Sequence, residues 1–299
     1  MENYIVYLNP NSNLFNYTKR YIDSKHMKYI IINRKEELHN IFYKNIKDGF
    51  SNFIICGGDG FVNNFVNVFM KLHPKKRSKI KIGIIPCGKA NDLARFLDIE
   101  TDIKLAFQQI YQERTRKIDL INVNKQYFIT GGGLGLSVET VSDVNLFLAK
   151  NNMKQFSKKL KDLIYLVFVI KKIFFGYKGI EGVKIDNRYV NTKNLMLIAI
   201  QNQPFIGKRF RLAPDADNSD GQFEVCVIEK PNNILSNLIM IYKIIKGKHL
   251  KSKKVFQIKE KKMSIILKNI QYYMADGELL CKAKKFNIEI IPQALTFYY

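Results

Sequence analysis

Three places in the chain group residues whose types suit phosphate chemistry. In the first, an apolar run from Phe53 to Cys56 stops at Gly57, Gly58, Asp59 and Gly60, and a helical pattern begins at Phe61. Strand, glycine turn and helix together suit a polyphosphate: glycines let backbone N–H groups approach it, and the helix points its positive end at the same place. Asp59 would repel that ligand unless a metal ion or a hydroxyl stands between them. The alternative is an ordinary βα turn with Asp59 as a helix cap. In the second place, residues 212–221 pack Asp215, Asp217 and Asp220 into one loop before an apolar run. That set suits a hard cation such as Mg²⁺, or equally a solvated surface turn. In the third, Asp276-Gly277-Glu278 ends a strand pattern. Residues i and i+2 of a strand share a face, so both carboxylates are expected to point at one spot, where such a pair could take a proton from an attacking hydroxyl. Gly131-Gly132-Gly133-Leu134-Gly135 also follows a strand pattern and reads as a further glycine-rich turn.

The elements that must position these residues fall into two halves. Residues 1–120 alternate apolar runs (4–8, 29–32, 53–56, 80–86) with helical patterns (14–27, 35–47 and the stretch from Phe61). Strands this apolar, separated by helices, predict a parallel sheet covered on both faces, with ligands at the C-terminal strand ends. The loops 9–13, 57–60 and 88–92 all lie at such ends. From about residue 117 short strand–turn–strand patterns take over. They predict a second domain, 121–299, that is a mainly antiparallel β-sandwich with helical insertions over 154–175 and 231–246. Pro231 is expected in a first helical turn and Gly247 at the helix end.

Composition narrows the classes. The 299 residues carry a formal net charge of +23, which attracts nucleotide phosphates, nucleic acid or an anionic lipid surface, or simply reflects a lysine-rich genome. No nucleic-acid-binding module accompanies the charge, so no nucleic-acid partner is expected. Cysteines 56, 87, 226 and 281 are isolated and the histidines are scattered, which argues against a zinc site or a disulfide framework and for a reducing cytoplasm. The apolar run 163–170 is far shorter than the roughly 20 residues a membrane span needs. It reads as a buried helix or, alternatively, one lying on a membrane surface. The lysine-dense stretches 71–81, 158–161 and 243–262 read as solvated faces.

Taken in order, the Gly57–Gly60 turn, Ile85-Pro86-Cys87-Gly88-Lys89-Ala90-Asn91-Asp92, the Gly131–Gly135 run, Leu212-Ala213-Pro214-Asp215-Ala216 with Asp220-Gly221, and Asp276-Gly277-Glu278 with Ile291-Pro292 resemble the diacylglycerol kinase catalytic family. The likeness is greatest to its soluble bacterial lipid kinases. The resemblance implies an N-terminal nucleotide-binding α/β domain, a C-terminal β-sandwich and a site in the cleft between them. It implies ATP along Asn9, Pro10, Asn11, Ser12 and Asn13, along Gly57, Gly58, Asp59, Gly60, Phe61, Val62 and Asn63, and along Lys89, Asn91 and Asp92. Glu278 would be the proton acceptor, with Asp276 beside it and Asp59 organising Mg²⁺ and phosphates. The Asp220 side chain, with the Asp217 and Gln222 carbonyls, would hold a structural Mg²⁺. Four positions depart from the family: Phe61 and Lys89 replace threonines, Asn13 stands where glycine is favoured, and Ser219 stands where a second Asp often precedes Asp220. The expected reaction is phosphorylation of a lipid hydroxyl, most simply that of diacylglycerol, by a cytoplasmic protein at the inner face of an anionic membrane; a homodimer is left open. The rivals are a non-catalytic lipid- or nucleotide-binding relative, and a kinase of a soluble acceptor such as NAD.

Overall fold

The computed structural model describes residues 4–88, 91–150, 158–186, 188–189, 194–206 and 210–299. Its contacts divide the chain into two units, Met1–Leu120 with Pro292–Tyr299, and Ile121–Ile291.

The first unit runs β1 (Tyr4–Leu8), α1 (Phe15–Ser24), β2 (Tyr29–Ile31), α2 (Lys35–Lys47), β3 (Asn52–Gly57), α3 (Asp59–Phe69), α4 (Pro74–Arg77), β4 (Lys81–Pro86), α5 (Asp92–Phe96) and α6 (Ile103–Tyr111). The strands pair in the order β2-β1-β3-β4, all parallel. β1, β3 and β4 are buried because helices cover them, as their unbroken apolar runs require, while the edge strand β2 is half-buried. Tyr7, Phe42, Phe53 and Phe65 pack as a cluster of aromatic rings between sheet and helices. The Asn45 amide donates to the buried Tyr7 hydroxyl at 2.8 Å, so no polar atom of that pair is stranded. The chain's last residues return here: Phe297 lies beside Ile82 in a parallel pair, and Tyr298 Oη donates to Asn52 Oδ1 at 2.9 Å. The last eight residues, Pro292–Tyr299, thus group with the first unit, whose sheet their strand joins.

β5 (Thr115–Val123) leads into the second unit, which continues with β6 (Gln126–Phe128), β7 (Gly131–Gly135), α7 (Leu136–Lys150), α8 (Lys158–Phe175), β8 (Lys184–Ile185), β9 (Arg188–Tyr189), β10 (Leu195–Gln201), β11 (Phe223–Glu229), α9 (Ile234–Ile245), β12 (Val255–Glu260), β13 (Lys262–Ala275) and β14 (Glu278–Tyr298). The order β12-β11-β10-β7-β13-β14 is antiparallel throughout. Beyond a register shift at Leu195–Leu197, alternate residues of β10 and β11 face two different cores. Ile198, Ile200, Val225 and Val227 join the sandwich interior, while Met196, Ala199, Cys226 and Ile228 pack under α8 and α9. Both sides being buried is why these strands read as continuous apolar runs.

Three expectations need correcting. Residues 131–135 are a buried central strand, not a turn. Glycine is required there by close approach, since a Cβ on Gly133 would lie 2.1 Å from the Ile198 carbonyl oxygen and one on Gly132 2.5 Å from that of Met274. The short strand–turn–strand pattern expected of the second half gives way over Lys262–Ala275 to one long strand, β13, with a register shift between Ile266 and Gln271. The helix α7 follows β7 directly and was not anticipated. The insertion expected over 154–175 is α8, with residues 154–157 outside the described residues. In the second insertion the helix starts later than Pro231. Asn233 caps it, accepting from Ser236 N at 2.8 Å, and Gly247 follows it with φ 66° as expected of a helix end.

Candidate active site

In the first unit, strand order places β1 between β2 and β3, so the connection leaving β1 runs to β2 and the one leaving β3 runs the opposite way, to β4. The C-terminal ends of β1 and β3 flank that switch point, the position at which open α/β sheets bind ligands. The residues 9–13 loop and the Gly57–Gly60 turn begin there. Asn9 N donates to the Cys56 carbonyl at 3.1 Å, tying the first loop to β3. The Asn9 side chain and carbonyl accept from Asn11 N and Ser12 Oγ, which closes the loop and leaves Asn11 and Asn13 exposed. The glycines of the second and third loops meet. A Cβ on Gly88 would sit 2.3 Å from Gly58 Cα, so only a backbone without side chains allows this approach.

Asn91, in the left-handed conformation at φ 51°, braces the third loop. Its Oδ1 accepts from Gly88 N at 3.1 Å, and its Nδ2 donates to the carbonyls of Pro86 and Gly88, each at 3.0 Å. It is thus occupied within its loop and presents no free amide to a ligand. Asp59 opens α3 and its Oδ1 accepts from Leu93 N in the first turn of α5, at 3.3 Å. One partly exposed carboxylate therefore joins the starts of two helices, donor chemistry that suits a hard cation carrying phosphates. Asp92 pairs with Arg95. Phe61 turns its ring back on Gly57, where a Cβ would meet Phe61 Cδ1 at 2.6 Å. Val62 is buried in the helix interface, and Asn63 accepts from Asn67 Nδ2. Lys89 lies outside the described residues.

In the second unit, Asp276 and Glu278 do not share a strand face. Asp276 (φ 49°) and Gly277 (φ 81°) are the two central residues of the hairpin joining β13 to β14, whose flanking pair is Ala275 and Glu278. An Asp-Gly pair with both φ positive is the preferred chemistry of a two-residue hairpin, and this overrides the strand pattern. The Asp276 carboxylate folds back to accept from Thr130 Oγ1 at 2.6 Å, Thr130 N at 3.0 Å and Ile129 N at 3.2 Å. Burial raises its pKa above the usual carboxylate value, against the opposing pull of these donors. Glu278 is exposed and takes no hydrogen bond or ion pair from the described residues. Of the two carboxylates, Asp276 is held within the turn and Glu278 is exposed.

The acidic loop is also partly self-satisfied. Asp217 Oδ1 accepts from Ser219 N and Ser219 Oγ, and Asp220 Oδ1 accepts from Gln222 N at 2.9 Å. The cation at Asp220 is the Lys259 ammonium, 2.9 Å from Asp220 Oδ2 and 3.3 Å from Oε1 of the buried Glu224. Hydrogen bonding to Asp220 is the largest cause raising the Lys259 pKa, so the ammonium stays charged. A divalent ion would have to displace it, and the donor set as arranged fits a lysine rather than Mg²⁺. Lys259, Glu224 and Thr130 were not singled out by sequence. Lys259 stands in a lysine-rich stretch, and only the β11–β12 register, which sets it opposite Glu224, distinguishes it.

A parallel sheet whose glycine loops approach each other at the C-terminal strand ends is joined in one chain to an antiparallel sandwich. Residues 4–123 match the diacylglycerol kinase catalytic domain, and residues 143–299 match the YegS C-terminal NAD kinase β-sandwich-like domain. A diacylglycerol kinase of Staphylococcus carnosus is 29% identical over 238 residues, covering 78% of this chain and 72% of that protein. One of Staphylococcus epidermidis is 30% identical over 235 residues, covering 75% and 67%. A crystal structure of a diacylglycerol kinase from Bacillus anthracis superposes with a TM-score of 0.73 at 17% identity, over 100% of this chain and 97% of that one. The chain belongs to the diacylglycerol kinase catalytic family, whose members are phosphotransferases acting on alcohol groups.

Proposed function

We propose that the protein transfers the γ-phosphoryl group of ATP to the hydroxyl of a membrane lipid, with diacylglycerol as acceptor and phosphatidic acid as product, on the cytoplasmic face of an anionic membrane. The observation that carries this reading is the approach of the 9–13 loop to the end of β3, and of Gly58 to Gly88, at neighbouring ends of β1, β3 and β4. Family membership supports ATP as the donor.

In this reading the phosphates lie against backbone N–H groups of residues 57–60 and the first turn of α3, where the helix dipole favours negative charge. Asn11 and Asn13 supply polar contacts from the first loop, and Lys89 a positive charge from the third. Asp59 would hold the Mg²⁺ that accompanies ATP, and that ion would neutralise phosphate charge. Glu278 takes the proton from the lipid hydroxyl as its oxygen bonds to the γ-phosphorus and the bond to ADP breaks, a contribution of about 10²–10⁴-fold. Asp276, anchored to Ile129 and Thr130, fixes the hairpin from which Glu278 starts. No structural Mg²⁺ at Asp217, Asp220 and Gln222 enters this reading, because Lys259 supplies the positive charge there.

One observation favours a second reading, a non-catalytic nucleotide-binding relative: the Phe61 ring rests on Gly57 where the family pattern would put a phosphate-facing hydroxyl. Incubating the protein with Mg²⁺-ATP and a total bacterial lipid extract separates the two. A lipid heavier by one phosphate supports the kinase and names its acceptor. Calorimetric ATP binding with no such lipid, while a known lipid kinase works in parallel, supports the second reading. Turnover that needs neither lipid nor detergent would point instead to a soluble acceptor.

A further inference from the structure

The helices α8 and α9 of the second unit pack against each other and on one core. Val169 and Ile173 from α8, and Met240, Ile241 and Ile244 from α9, all rest on Met196, Ala199, Cys226 and Ile228 of β10 and β11. Two helices seated on the same side of one sheet turn their opposite faces away from it together. On a water-facing helix those positions should be polar. Here they are apolar. On α8, Leu163, Val167, Ile170 and Phe174 repeat at i, i+4, i+7 and i+11, and all are exposed. On α9, Leu235, Ile239 and Tyr242 repeat at i, i+4 and i+7, with Leu235 67% exposed. Phe175, at the end of α8, is 85% exposed. Seven large apolar side chains aligned on two adjoining helices form a continuous face, unlike the scattered exposed residues of ordinary surfaces.

The charge around this face selects its occupant. Lys171 and Lys246 are exposed and lie over the Phe168 and Tyr242 rings, at 5.7 Å and 6.0 Å from their centroids. Exposed Lys178, Lys248, Lys251 and Lys253 follow the two helices in the chain. No Asp or Glu occurs between Glu229 and Glu260, and Asp162 is the only acid in α8. The nearest described acids on α7, Glu139 and Asp143, are both paired with Lys172. A second copy of the chain would set this lysine rim against itself. An anionic bilayer offers hydrocarbon to the stripe and phosphates to the rim.

We propose that the outward face of α8 and α9 docks the protein on an anionic bilayer, with the apolar stripe at the level of the acyl chains and the lysines at the headgroups. The inference rests on the lipid-acceptor reading, and the test keeps the two apart. Sedimentation with phosphatidylglycerol/phosphatidylcholine vesicles reads docking, while turnover of a short-chain, monomeric diacylglycerol reads catalysis without a membrane. The wild type should sediment with these vesicles, less so as NaCl rises or as phosphatidylglycerol is removed. The double substitution Val167→Asn with Leu235→Asn, neutral in charge, should weaken that binding about tenfold or more while keeping the wild-type melting temperature and short-chain turnover. Ile270→Asn, at an exposed apolar residue of β13 outside both helices, should bind as the wild type does. Equal losses in the double variant and Ile270→Asn, or binding unaffected by the double substitution, would overturn the proposal. So would a wild-type dimer that the double substitution converts to monomer. Absence of short-chain turnover in the wild type would count against the kinase reading and leave the sedimentation result to decide docking.

Discussion

Asp276 spends its carboxylate on Thr130 and Ile129, whereas Glu278, one residue past the hairpin turn, keeps its own exposed. Their substitutions should separate accordingly. Glu278→Gln is expected to lower kcat by at least about 10²-fold with an unchanged melting temperature, since it removes the proposed proton acceptor and no side-chain contact among the described residues. Asp276→Ala should instead lower stability by about 1–3 kcal/mol, read by denaturant unfolding, because the half-buried Thr130 and buried Ile129 donors lose their acceptor. The residue types at this site were legible in the sequence; their directions were not. Periodicity extended the β13 pattern through residue 276, although Asp-Gly is itself a hairpin signal that could have ended the strand there. Lys259 makes the same point for the acidic loop, where three acids read as a cation site and the cation is a side chain from a strand far along the sequence. Lys259→Met should lower the melting temperature by a few degrees by removing the cation that Asp220 and the buried Glu224 share, leaving Glu224 with the Gln257 amide and Asp220 with the Gln222 N–H. Added Mg²⁺ or Ca²⁺ should recover part of that loss, whereas a chelator should leave the wild-type melting temperature unchanged.

At the scale of elements, the parallel strands were readable because strands covered on both faces carry no polar residues to interrupt them. Their order was not readable, yet it is the order β2-β1-β3-β4 that brings the 9–13 loop beside the Gly57–Gly60 turn. Gly88→Ala tests this juxtaposition. With no room for a Cβ beside Gly58, the two loops must part, and calorimetric ATP affinity should fall at least tenfold even where the protein remains folded. The glycine run 131–135 misled in the opposite sense, because glycine marks close backbone approach in a strand as well as a turn. The helix α7 was hidden for a different reason. Its buried residues Leu136, Val141, Val144 and Leu148 are unevenly spaced, and Thr140 is buried among them, its hydroxyl donating to the Leu136 carbonyl at 2.7 Å.

For the whole molecule, folding creates a titration that sequence cannot reveal. His249 is fully buried, its Nε2 lies 3.2 Å from the Leu212 carbonyl, and burial lowers its pKa from 6.5. The unfolded chain then binds a proton near pH 6.5 that the native state binds only at lower pH, so stability is complete above pH 6.5 and declines as pH falls below it. The melting temperature should drop between pH 7 and pH 5, and His249→Gln, which retains a donor toward Leu212, should flatten that slope. Among the described residues no helix is long and apolar enough to cross a membrane. The net charge of +23 and the exposed apolar face of α8 and α9 are features of the whole molecule that suit an anionic lipid surface. The measurement that bears most directly on the central claim is phosphate transfer from Mg²⁺-ATP to dispersed diacylglycerol, followed by mass spectrometry for the wild type and Glu278→Gln in parallel. The account predicts phosphatidic acid from the wild type and almost none from the variant. Equal product from both, or none from a wild type that binds ATP, would contradict it.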